Sequence, residues 1–110
     1  MAGDMAGTFA YMPPEQIRDF RNVKPTADIY ALGMTAYSLL AGDIALDLGP
    51  NGDIAGTVRA IFEGQMIPLR TRVPNVPVQV AEIIERALLR DPMHRWQSAR
   101  AMRTALAHAI

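Results

Sequence analysis

Residues 25–42 read PTADIYALGMTAYSLLAG and carry the strongest structural signal in the chain. Pro25 and Thr26 predict the start of a helix, with Thr26 as its N-cap, and Gly42 predicts its end. The apolar side chains between these ends fall on nearly every face of the helix: Ile29, Tyr30, Leu32, Met34, Tyr37, Leu39 and Leu40. This pattern predicts a helix buried all round, at the centre of something larger.

Four further helical segments are expected around this one, and no part of the chain reads as a convincing strand. Their expected positions are 13–20, about 54–62, from Pro77 to the pair Asp91-Pro92, and from the cap residue Ser98 onward. The stretch 64–75 contains two prolines and is expected to be a loop. The sequence therefore predicts an all-α fold.

The composition limits both the size of the fold and the class of partner. The chain has 110 residues, 11 basic and 11 acidic side chains and no cysteine. One domain is the most that this length supports, and zero net charge argues against a nucleic-acid or anionic-membrane binder. The absence of cysteine fits a reducing cytoplasm. The N-terminus has no signal-peptide pattern and residues 27–41 are too short to span a bilayer, so we expect a soluble, cytoplasmic chain without membrane contact.

No catalytic constellation is visible in the sequence. His94 and His108 have no partners at ligand spacing, which argues against a metal site. The turn at 49–52 lacks the spacing and the lysine of a phosphate-binding loop. Ser38 and Ser98 lie inside a helix and at a helix cap, without a nucleophile elbow. We therefore expect no catalytic residue, no metal and no cofactor on this chain.

Three motifs nevertheless follow one another in a characteristic order. They are GTFAYMPPEQ at 7–16, DIYALG at 28–33 and DPMHR at 91–95, the last followed by the capped helix. In this order the chain resembles the C-terminal lobe of a serine/threonine protein kinase of the bacterial type. The resemblance runs from the end of the activation segment to the last helix of the lobe. It implies that residues 1–110 are a partial protein kinase domain, from the substrate-binding loop onward, without the N-lobe and the catalytic loop.

The resemblance implies structural roles for three charged residues. Pro13-Pro14-Glu15 matches the family's Ala-Pro-Glu motif, whose glutamate forms a buried ion pair with an arginine that Arg95 matches. Asp28 matches the aspartate that accepts backbone hydrogen bonds from the catalytic loop and holds that loop in shape. Plainer interpretations are also open. Glu15 and Asp28 could each complement a helix N-terminus, and Arg95 could be solvated.

The resemblance also implies a substrate-binding loop. Thr8 matches the threonine of that loop in serine/threonine kinases, which favours this class over tyrosine kinases. Tyr11 and Met12 would form walls of the pocket for the residue after the phosphoacceptor. Taken without the resemblance, Thr8 is an ordinary loop threonine that makes a local turn.

The sequence departs from the family in what it lacks. It contains no Gly-rich loop, strand lysine, glutamate partner of that lysine, His-Arg-Asp or Asp-Phe-Gly motif. Residues 43–46 read DIAL where the family often has Pro-Phe, so this helix connection departs from the family pattern. The resemblance implies a parent enzyme that uses ATP and Mg²⁺ to phosphorylate Ser or Thr of protein or peptide substrates. This chain alone is expected to be inactive.

Two other interpretations remain open at this point. The chain could be a free-standing, non-catalytic interaction module that binds a regulator or self-associates. Loss of the covering segments would then expose apolar area at Tyr11, Ile29 and Leu32, which dimerisation would cover. The third interpretation is an unrelated small helical bundle.

Overall fold

The computed structural model describes residues 9–21, 23–48 and 53–110. Within these ranges the chain is helical and contains no strand, which confirms the all-α prediction. The helices are α1 Pro14–Arg18, α2 Pro25–Ala41, α3 Ile54–Glu63, α4 Leu69–Arg72, α5 Val78–Ala87, a 3-10 turn Pro92–His94 and α6 Ala99–Ala109. None of the helices in these ranges has the length and apolar character needed to cross a bilayer.

The backbone properties of proline and glycine determine both ends of α2. Lys24 is the N-cap and makes no side-chain capping bond, so the predicted capping role of Thr26 was wrong. Pro25 occupies the first helical position, where its missing N–H requires no partner. Gly42 ends the helix with a φ of 76°, as predicted, because glycine adopts this left-handed conformation without a steric penalty.

The prediction that α2 is buried all round was wrong. One face packs inward, while Leu32 and Leu39 on the opposite face are 47% and 81% exposed. Asp28 and Thr35, also exposed, complete a stripe at the i, i+4, i+7 and i+11 positions. The expectation of an exposed Ile29 was wrong as well, since it is 2% exposed in the core. The described helices cover only one side of α2, which local sequence cannot reveal.

The inward face of α2 packs closely against α5. A Cβ built on Gly33 would lie 2.6 Å from the Ala87 Cβ, so the two backbones approach at a point where only glycine fits without movement. Helix α6 then packs on α5, with Met102 buried against Ile29 and Ala87. The Trp96 indole N–H donates to the Ile83 carbonyl at 2.9 Å and joins the segment before α6 to α5.

The connection between α2 and α5 contains a helix that the sequence did not predict. Helix α4 lies within the stretch 64–75, where no helix was predicted, and its first N–H group, that of Leu69, donates to the Glu85 carboxylate at 2.8 Å. This cap comes from α5, so the local sequence gives no sign of it. In the 43–46 segment Ala45 is fully buried and its carbonyl accepts from the Ile67 N–H at 2.8 Å.

Local caps explain the remaining boundaries. Asp53 caps α3 by accepting from the Gly56 N–H. The predicted cap of α6 is present, since the Ser98 side chain accepts from the Ala101 N–H. Helix α5 ends at Ala87, a few residues before the predicted stop. The Asp91 carboxylate instead begins the 3-10 turn by accepting from the Met93 N–H at 2.9 Å.

Candidate functional site

Arg95 is fully buried and uses every N–H of its guanidinium. Its Nη1 and Nη2 donate to the two carboxylate oxygens of Glu15 at 2.6 and 3.0 Å. Nε donates to the Leu89 carbonyl at 2.6 Å, and the remaining N–H groups donate to the carbonyls of Thr26 and Arg90 at 3.1 and 3.0 Å. The burial of this cation is therefore compensated by one carboxylate and three backbone carbonyls.

This ion pair joins parts of the chain that are 80 residues apart. Glu15 lies in the first turn of α1, while Arg95 directly follows the 3-10 turn Pro92–His94 between α5 and α6. The Tyr30 ring of α2 lies 5.1 Å from the Arg95 guanidinium carbon and forms a further wall of the site. Burial raises the pKa of Tyr30 to about 12, against the opposing effect of the Arg95 charge. The first turn of α1 is thereby fixed to both α2 and the segment between α5 and α6.

A second contact fixes the segment before α1 further along α2. The Tyr11 hydroxyl lies 3.1 Å from the Ser38 Oγ, which also lies 3.1 Å from the Thr35 carbonyl. A serine has one hydroxyl proton, and the carbonyl can only accept it, so Tyr11 donates to Ser38. The sequence around Ser38 bears only on a nucleophile role, which it does not support. Nothing in the sequence marks it as the partner of a tyrosine 27 residues away.

The other predicted site residues are placed as follows. Met12 is half-buried and its N–H donates to the Phe9 carbonyl at 3.0 Å. Asp28 is exposed in the first turn of α2, and its carboxylate has no hydrogen bond or ion pair with any described residue. Thr8 lies outside the described residues. In the described part of the chain, no three His, Asp or Glu side chains form a group that could hold a metal ion.

Comparison with known proteins places this fold and site in one family. Residues 2–108 match the family profile described as protein kinase domain. Serine/threonine-protein kinase PknL of Mycobacterium tuberculosis is 35% identical over 101 residues, which cover 91% of this chain and 24% of PknL. Tyrosine-protein kinase MasK of Myxococcus xanthus is 32% identical over 104 residues, 94% of this chain and 16% of MasK. Serine/threonine-protein kinase PrkC of Bacillus subtilis is 36% identical over 97 residues, 87% of this chain and 14% of PrkC.

The chain thus spans a quarter or less of the length of these relatives. Its all-helical architecture agrees with the helical C-lobe portion of the protein kinase fold. The profile match extends over nearly the whole chain, from the segment before α1 into α6. The chain therefore belongs to the protein kinase family.

Proposed function

We propose that this chain is the peptide-substrate platform and helical scaffold of a longer serine/threonine protein kinase. The observation that carries the proposal is the buried pair of Glu15 and Arg95, in which all five arginine donors are used. A glutamate fixed in this way determines where the segment before α1 lies. In the proposed parent, that segment receives the protein whose Ser or Thr hydroxyl takes the γ-phosphoryl group of ATP. Thr8 matches the threonine found in serine/threonine kinases. This match supports Ser or Thr, rather than Tyr, as the residue that is phosphorylated.

The proposed substrate loop is held on both sides of Met12. Tyr11 is attached to α2 through Ser38, and Glu15 is attached through Arg95 to the segment between α5 and α6. A loop fixed at two points loses little conformational entropy when a peptide binds to it. Tyr11 and Met12 are both half-buried and would form the walls against which the peptide residue after the phosphoacceptor packs.

The open face of α2 supports the existence of a covering segment in the parent. Leu32 and Leu39 expose apolar surface there, and the Asp28 carboxylate has no partner among the described residues. A carboxylate that becomes buried needs hydrogen-bond donors, and exposed leucines on one stripe favour contact with another element. We propose that in the parent this face is covered by the catalytic loop and by the elements that join that loop to the N-lobe. Asp28 would accept backbone N–H groups of that loop.

ATP and Mg²⁺ belong to other parts of the proposed parent. Phosphoryl transfer depends on positioning and on charge stabilisation by metal-binding acids and a lysine. The residues described here do not fit that role, because no three acidic or histidine side chains cluster. We therefore expect the chain alone to transfer no phosphate. We place the parent's kinase domain in the cytoplasm, where Mg-ATP is available.

A chimeric kinase tests this proposal. The matching 101-residue segment of PknL is replaced by this chain, and phosphate transfer from radiolabelled ATP to a generic protein substrate is measured. We expect the chimera to be active and the chain alone to be inactive. Glu15→Ala should lower the activity of the chimera at least tenfold, while Glu82→Ala, at an exposed position of α5, should leave it unchanged. A folded but inactive chimera, or phosphate transfer by the isolated chain, would overturn the proposal.

A second candidate function uses the same open face differently. Leu39 is 81% exposed, which also favours a non-catalytic interaction module that self-associates or binds a regulator. Light scattering across a range of concentrations distinguishes the two. A module that self-associates through this face should become monomeric with Leu39→Glu, whereas a concentration-independent monomer would count against self-association.

A further inference from the structure

A cavity of about 340 Å³ lies between α2, α3 and the end of α5, away from the proposed substrate loop. Its volume is at the lower end of the range found for small-ligand sites. The walls that the described residues form are mostly apolar and contain no acidic side chain. They comprise Tyr30, Leu46, Ile61, Gly64, Gln65, Met66, Leu88, Leu89 and Arg90.

Tyr30 contributes a hydroxyl without a hydrogen-bond partner among the described residues. The residue is only 3% exposed, and its hydroxyl has no hydrogen bond to any described residue. Every fully enclosed side-chain nitrogen or oxygen in the described ranges does have a partner. Tyr30 lines the cavity, and we infer that its hydroxyl faces this space. Since burial raises the pKa of Tyr30 to about 12, the hydroxyl keeps its proton at neutral pH and can donate.

Arg90 brings a second set of donors to the same cavity. Its Nε donates to the Ile61 carbonyl of α3 at 3.1 Å, which fixes the guanidinium beside the cavity. Its Nη groups have no hydrogen bond or ion pair with the described part of the chain. Tyr30 and Arg90 both line this cavity, so the two side chains border the same space. Two donors without acceptors in the described ranges therefore border one apolar space.

We propose that this cavity binds a small carboxylate with an apolar body. The carboxylate would accept from the Tyr30 hydroxyl and the Arg90 Nη groups, while the apolar body packs against Leu46, Met66 and Leu88. A cationic ligand would meet the Arg90 charge with no acid to compensate it. A neutral ligand would forgo the charge-assisted bonds that make a guanidinium–carboxylate contact strong. This site does not depend on the proposed kinase function.

NMR titration of the 110-residue chain tests the proposal with phenylacetate and its neutral counterpart phenylacetamide. We expect saturable shifts of the Met66 and Leu88 methyl groups with phenylacetate, and much weaker binding of the amide. Tyr30→Phe should weaken phenylacetate binding about tenfold, and Arg90→Gln by tenfold or more, because each removes a bond to a charged group. Arg59→Gln, on an exposed position of α3 outside the cavity lining, is the matched control and should leave the affinity unchanged.

Each outcome decides the proposal. Tyr30→Phe keeps the ring that packs on Arg95 and removes a hydroxyl that has no hydrogen-bond partner in the described part of the chain, so this variant should remain folded. Absence of saturable shifts at Met66 and Leu88 in the folded chain would overturn the site. Equal binding of the acid and the amide, unaffected by Arg90→Gln, would overturn the assignment of a carboxylate ligand.

Discussion

Removal of the Glu15 carboxylate should destabilise the chain strongly but leave it folded. Glu15→Ala leaves the Arg95 cation buried with only its three backbone carbonyl acceptors. Loss of one partner of a buried ion pair typically costs about 3–5 kcal/mol. The Glu15 side chain is 29% exposed, so water can reach the vacated position, and we expect about 3 kcal/mol, the lower end of that range. A domain of this size is usually stable by about 5–15 kcal/mol.

Arg95→Lys tests the geometry of the pair rather than its charge. Lysine keeps the positive charge but has three donors in place of five, and it cannot bind both carboxylate oxygens in a planar fork. At least two of the five acceptor contacts made by Arg95 would be lost. We expect this variant to lose at least about 2 kcal/mol, because a buried unsatisfied acceptor costs about 1–3 kcal/mol.

Urea unfolding followed by the fluorescence of Trp96, the only tryptophan, measures these losses. With an m-value of about 1–1.5 kcal/mol/M, a loss of about 3 kcal/mol lowers the unfolding midpoint by about 2–3 M. Glu82→Ala, on the exposed side of α5, should stay within about 0.5 kcal/mol of the unmodified chain. If Glu15→Ala unfolded at the same urea concentration as Glu82→Ala, the claim that this pair holds the first turn of α1 would be refuted.

Three further predictions concern α2. Gly33→Ala should lower the free energy of unfolding by about 1–3 kcal/mol, because its Cβ would lie 2.6 Å from that of Ala87; unchanged stability in urea unfolding would rule out this close approach. Tyr30 has a pKa of about 12 in the folded chain against an ordinary 10.0. The protonated side chain therefore makes its full contribution to the free energy of unfolding below pH 10, and this contribution is lost as the pH rises towards 12. Unfolding at pH 9 and pH 11 should show about 1 kcal/mol more loss in the unmodified chain than in Tyr30→Phe, and equal losses would contradict the raised pKa. Ser38→Ala should cost about 1 kcal/mol in urea unfolding, whereas Thr35→Ala on the same helix should be neutral; equal values would show that the hydroxyl contact with Tyr11 contributes nothing.

Features determined by adjacent residues could be predicted from the sequence. Gly42 ends α2 and Ser98 caps α6 through bonds within a few residues, so their sequence signals are local. The start of α4 depends on Glu85, 16 residues away on another helix, and proline-rich sequence around it suggested a loop. Burial of α2 could not be predicted either, because Leu39 has the same apolar character whether or not another element covers it.

Some features of the candidate site could likewise be predicted from the sequence, and others could not. Family motifs drew attention to Glu15 and Arg95, which the structure places in direct contact. The three carbonyl acceptors around Arg95 depend on how α2 and the end of α5 meet, which no motif encodes. The donors of Tyr30 and Arg90 become notable only after the structure shows that neither Tyr30 Oη nor Arg90 Nη has a partner in the described residues.

The most direct test of the central claim is to sequence the gene upstream of the Met1 codon in the same reading frame. If the chain is the substrate platform of a longer kinase, that sequence should encode a Gly-rich loop, a strand lysine, a His-Arg-Asp motif and an Asp-Phe-Gly motif, in this order. A stop codon immediately upstream would contradict the claim for the natural product and leave the interaction module as the function to pursue.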